Sequence, residues 1–221
     1  DYASDINTAV KLAEKLIVED KVKFLLGPYG SASIMAVAPI AEKYGVIHMA
    51  PTGASEQIFS KGFKFTFGTL PATRQFGVAW MDVMLKQNPK PKTIAILSRN
   101  DLFPADMGKW VKDAAEKDGI QVVYYEQYPV GTKDFLNPLS QVKSKNPDLF
   151  FFTGYANDAM QAVRQAKQVG LKVKAFGATA GLTTIDFREG MKDLANDVTS
   201  VESWFPGLPD TLKDDVFGTP A

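Results

Sequence analysis

Short β-rich runs alternate with amphipathic helical stripes along nearly the whole chain, and this alternation restricts its fold more than any other feature. Asp5 stands ahead of Ile6, Ala9, Val10, Ala13, Leu16 and Ile17, the spacing of a capped helix with one buried face. A strand over 22–26 follows. Next comes a helix carrying Ile34, Val37, Ala38, Ala41 and Tyr44, with Ser31 at its N-cap, then a strand over 46–50. The alternating run Phe63-Lys64-Phe65-Thr66-Phe67 reads as another short strand. Helices with Trp80, Val111, Leu139 and Val163 on their apolar faces precede strands at 93–97, 120–125, 149–152 and 173–176; Asn157 is the expected cap of the last helix and Gly170 its end. Strands joined by helices pair in parallel through crossovers, so the expected class is α/β.

One sheet holding every strand would need roughly eight or nine parallel members, large for 221 residues. Two doubly wound parallel sheets flanked by helices are therefore expected. Residues 68–72 lack helical periodicity and mark a crossing between lobes, and a second crossing is expected near 200–206. This gives a first lobe at 1–70, a second at 71–201 and a return segment at 202–221. The first four residues open on a loop with no strand before it, and the Pro-rich tail closes with no element. The chain thus reads as an internal portion of something longer.

Two strand ends carry small-residue loops, Gly27-Pro28-Tyr29-Gly30-Ser31-Ala32-Ser33 and Ala50-Pro51-Thr52-Gly53-Ala54-Ser55. A helix start offers unpaired N–H groups and about half a positive charge, so it holds an anion without Arg or Lys. Neighbouring loops of this kind would frame a carboxylate; the plainer reading is a pair of tight turns. Lys plus Arg and Asp plus Glu each number 25, and no basic face points to nucleic acid. No apolar run reaches the roughly twenty residues of a membrane-crossing helix. The chain has no cysteine. Its one histidine, His48, lies in an apolar strand and reads as structural. No metal-loop spacing, Gly-x-Gly-x-x-Gly run or Gly-x-Ser-x-Gly turn is present, so neither an enzyme nor a cofactor is expected.

Several segments resemble the type 1 periplasmic solute-binding proteins that serve ABC importers of the branched-chain amino acid class. They are residues 5–20, Leu26-Gly27-Pro28-Tyr29-Gly30-Ser31, 38–42, 45–51, 148–155 and 165–171, in the family's order. The resemblance implies two hinged lobes closing on a ligand, a membrane permease as partner, and a periplasmic location (lipid-anchored outside the membrane in a Gram-positive cell). It also implies that the first strand and helix, and a portion after Ala221, are absent. The family's carboxylate-binding serine falls on Ser31, its backbone-binding loop on Thr52 and Ala54, its closing aromatic on Phe103, and its strand-end tyrosine on Tyr155.

The acid that pairs with a ligand ammonium in the family falls on Thr179, a departure. Burying an ammonium without a carboxylate partner is costly. Asp101 or Asp158 could substitute but read first as an ordinary loop acid and helix-start acid, so the expected ligand is a carboxylate with an apolar or aromatic body rather than a standard zwitterionic amino acid. Tyr29, Phe103, Tyr155, Trp204 and Phe205 are candidates to stack on such a body. The expected function is capture of a small carboxylate-bearing ligand by hinge closure, without bond chemistry. A ligand-sensing regulatory or receptor domain of the same fold is the alternative.

Overall fold

The computed structural model describes residues 1–179 and 182–203. Within them, parallel strands form two separate sheets. The smaller has strands β1 (Phe24–Leu26), β2 (Ile47–Ala50) and β3 (Thr66–Gly68) in the order β1-β2-β3. Helices α1 (Ile6–Val18) and α2 (Ser31–Tyr44) cover one face, where Ala9, Ala13 and Ile17 meet Val37, Ala41, Leu25 and Val46. Asp5 caps α1 as its position predicts, accepting the Thr8 N–H at 2.7 Å. Side chains alternate across a strand, so Leu25 and His48 point inward while Phe24 and Leu26 are 68% and 81% exposed on the other face.

Two strands are shorter or later than the sequence pattern suggests, and hydrogen bonds explain both. The Val22 N–H bonds the Leu16 carbonyl at 3.1 Å, finishing α1, so β1 begins at Phe24. The N–H groups of Lys64 and Phe65 go to the Glu42 carboxylate at 2.8 and 3.2 Å, so β3 begins at Thr66.

The larger sheet contains β4 (Thr93–Arg99), β5 (Gln121–Tyr128), β6 (Leu149–Thr153), β7 (Ala175–Ala178) and β8 (Val198–Ser200), in the order β5-β4-β6-β7-β8. Helices α4 (Thr73–Met84) and α5 (Leu102–Lys117) lie on one face, packing Trp80, Met81, Met107 and Val111 against Ile94, Ile96 and Phe151. On the other face, α6 (Leu136–Ser144) and α7 (Ala156–Val169) set Leu139, Val142 and Val163 against Leu97, Phe150 and Phe152. Cover on both faces is why Leu149-Phe150-Phe151-Phe152 is continuously apolar. The short α3 (Glu56–Phe59) and α8 (Ile185–Met191), a 3₁₀ turn over Lys192–Ala195, and β8 were not expected from the sequence. Tyr155 caps α7 in place of the expected Asn157, and Asp158 accepts its N–H at 3.3 Å.

The chain leaves β4 toward β5 and leaves β6 toward β7, so the strand order reverses between β4 and β6. Loops diverging from such a point leave a crevice at the carboxyl ends of the strands. Elements of the smaller sheet close over that crevice. Leu102 at the start of α5 packs on Ile34, Ala50 and Ile58. The Ser55 hydroxyl and the Gln57 amide both donate to the Asp106 carboxylate of α5, the amide at 2.6 Å.

Candidate functional site

Gly30, rather than Ser31, caps α2, with φ 87°. Only a residue without Cβ takes that conformation freely. Ser31 becomes the first helical residue and is wholly buried; its hydroxyl accepts the N–H groups of Ala54 and Ser55, each at 3.2 Å. The two expected anion-framing loops are thus tied together from within. A second tie joins them nearer the surface, where the Thr52 hydroxyl accepts the Gly30 N–H at 3.1 Å. Ser31 and the buried Ala54 therefore do not face open space, contrary to expectation, whereas Gly30 and Thr52 do. The first N–H groups of α2 lack intrahelical partners; its cap residue Gly30 borders that opening, while Ala32 and Ser33 of its first turn border an adjoining cavity with Arg99 and Asp101.

The opening is a cavity of about 210 Å³ between the loops of the two sheets. Of the residues singled out in the sequence, Tyr29, Thr52, Phe103 and Tyr155 line it. The Tyr29 and Tyr155 ring centroids are 6.3 Å apart, and those of Phe103 and Tyr155 are 6.4 Å apart. Burial pushes both phenols above their ordinary value; Glu202 adds to the rise for Tyr29, and Asp101 adds to it for Tyr155. Both stay neutral, as hydrogen-bonding aromatic walls. The sequence reading missed Leu70, Phe76 and Met107, which complete an apolar lining, and Glu202, which follows β8. Phe76 and Met107 sit on helix faces expected to be plain core, and Glu202 follows a short, partly buried strand that no local pattern announces.

The acids expected to stand in for the one missing at Thr179 are already engaged. Asp158 accepts from Arg99 Nη1 at 2.8 Å, and Asp101 caps α5 through the Leu102 N–H at 2.8 Å while lying 3.8 Å from Arg99 Nε. Arg99 itself lies over the Tyr155 ring, 5.0 Å from its centroid. None of the three lines this cavity; Arg99 and Asp101 border an adjoining one that shares Tyr29, Gly30 and Tyr155 with it. Thr179 is buried and pins Gly154: its hydroxyl donates to the Gly154 carbonyl at 3.0 Å and accepts the N–H at 3.1 Å. Trp204 and Phe205 lie outside the described residues. His48 is structural in its bonding, with Nε2 2.7 Å from the Gly27 carbonyl and Nδ1 3.2 Å from the Thr66 hydroxyl.

Two parallel sheets whose strand-end loops share one small, largely apolar cavity, with a helix start at its edge, define a two-sheet α/β chain. The chain belongs to the periplasmic binding protein family, whose profile matches residues 1–217. That is a family of binding proteins, not of enzymes.

A leucine-, isoleucine-, valine-, threonine- and alanine-binding protein of Pseudomonas aeruginosa is 32% identical over 197 residues, covering 86% of this chain and 52% of the relative. A Leu/Ile/Val-binding protein of Escherichia coli is 27% identical, covering 80% and 48%. The chain thus spans about half the length of the curated relatives it matches. Among solved structures, a leucine binding protein from Thermotoga maritima has a TM-score of 0.76 at 24% identity, covering 89% of this chain and 54% of that one. A solute binding protein of an R. palustris ABC transporter, in complex with 4-hydroxybenzoate, has a TM-score of 0.74 at 23% identity, covering 87% and 51%. Both share the fold.

Proposed function

We propose that this chain is the ligand-binding portion of an extracytoplasmic, periplasmic solute-binding protein that delivers a small carboxylate-bearing molecule to the permease of an ABC importer. Residues 1–70 and 71–201 act as the two lobes; of the expected return segment, residues 204–221 lie outside the described residues. The observation that carries the reading is the shared cavity. Tyr29, Thr52 and Gly30, the cap of α2, come from one sheet's loops, and Phe103 and Tyr155 come from the other's. The carboxylate docks at the α2 start, where N–H donors and the helix dipole favour an anion, and the aromatic wall then closes on its apolar body. Only contacts made in the closed form shift the equilibrium toward it. Ser31 acts at one remove, holding the loop that presents Thr52. Cavities for drug-sized ligands run to about 300–1,000 Å³, so a space below that range suits one amino acid or a single-ring acid.

The test is thermal unfolding of the full chain with leucine, isoleucine, valine, threonine, alanine, benzoate and 4-hydroxybenzoate. A true ligand present at a hundred times its Kd adds about 2.7 kcal/mol of stability. At least one acid should raise the melting temperature with a saturable dose dependence. A flat response to the whole panel, with a shift only for an uncharged solute such as a sugar, would overturn the reading.

A further inference from the structure

We infer that Glu202 is the specificity-determining residue of this cavity, selecting ligands that carry an ammonium beside their carboxylate over simple carboxylic acids. The inference rests on the reading of the cavity as a carboxylate-ligand site. It starts from the register of the larger sheet. Ala178 pairs with Ser200, so residues leaving β8 emerge beside those leaving β7. The threonine at the end of β7 faces Gly154 and offers no charge. One strand further along, the chain leaves β8 through Val201, Glu202 and Ser203, and all three reach the cavity. The acid absent from one strand exit is thus present at the next.

Glu202 is the one carboxylate among the described lining residues, and none of them is Lys, Arg or His. The Ser200 hydroxyl donates to its Oε1 at 3.2 Å, which orients the group without neutralising it. The cation nearest the aromatic wall, Arg99, is held by Asp158 and does not border this cavity. Closing the cleft strips water from Glu202, and a ligand that brings a positive charge offsets that loss. A plain acid instead places a second negative charge in the same small space, which opposes binding. The cavity then has one end suited to an anion, at the start of α2, and one acid suited to a cation. A zwitterion satisfies both.

Isothermal titration of the full chain with matched pairs tests this: leucine against 4-methylpentanoate, and phenylalanine against 3-phenylpropanoate, each pair differing only by the amino group. The wild type should favour the amino acid of a pair by roughly ten- to a hundredfold, the worth of one charge-assisted bond. Glu202→Gln should remove most of that preference while leaving the plain acid as tightly bound or tighter, and Glu202→Asp should keep part of it. Circular dichroism melts of each variant separate these effects from unfolding. Plain acids bound as well as amino acids by the wild type, or a preference that survives in Glu202→Gln, would overturn the inference while leaving the carboxylate reading standing. No binding by any of the four acids would overturn the inference, while the carboxylate reading falls only to the broader melting panel above.

Discussion

Ser31 shows how one hydroxyl joins two loops separated in sequence. It is the acceptor for two N–H groups, those of Ala54 and Ser55, and it is fully buried. Ser31→Ala leaves both donors without that partner, at a cost of about 1–3 kcal/mol each in the worst case. The variant should melt earlier in urea and also bind any carboxylate ligand more weakly, because Thr52 rides on the same loop; unchanged stability would count against the assignment. His48 makes a second prediction. Burial holds its imidazole below the ordinary 6.5, with the Gly27 carbonyl opposing the effect. The folded state therefore takes up a proton less readily than the unfolded chain does. Stability from this residue is intact above pH 6.5, declines as pH falls below it, and levels off once pH passes the folded value. His48→Gln should flatten that part of the stability–pH profile, measured by chemical denaturation in steps from about pH 7 to pH 5.

Among the elements, β7 is tightly constrained at Gly177. A Cβ on Gly177 would sit 2.5 Å from the Trp80 ring and press on Phe151. Gly177→Ala should cost about 1–3 kcal/mol by overpacking. The same Trp80 donates its indole N–H to Thr199 of β8 at 2.9 Å, so the variant should also loosen the strand from which Glu202 emerges. Hydrogen exchange at Val198–Ser200 would report it, and protection equal to the wild type's would refute the coupling. Long elements such as α5 and β4 were legible in the sequence because burial writes a period over many residues. The three residues of β8 are only partly buried and follow Asn196 and Asp197, so no period could form there. The site divides in the same way. Tyr29, Thr52, Phe103 and Tyr155 could be picked out because they stand just past strand ends. The inward turn of Ser31, the engagement of Asp158 by Arg99 and the position of Glu202 depend on hydrogen bonds and register between distant segments. Nothing local in the sequence encodes those.

At the scale of the molecule, polar groups join the elements of the two sheets: Glu56 accepts from Thr73, Arg74 and Trp110, and Asp106 is a second such acid. It receives both the Ser55 hydroxyl and the Gln57 amide from across the junction. Asp106→Ala strands two donors at a cost of about 1–3 kcal/mol and frees the loops that frame the cavity. Faster limited proteolysis near 55–57, with slower cutting when ligand is added, is the expected outcome; a digestion pattern identical to the wild type's would show that the junction does not depend on it. The smaller sheet has a different consequence. Phe24 and Leu26 stand in open solvent on its uncovered side, next to a strand edge whose backbone is unpaired among the described residues. A greasy plate bordered by free amide groups is adhesive. Concentrated solutions of this chain should scatter light increasingly with time, and Leu26→Lys should keep them clear.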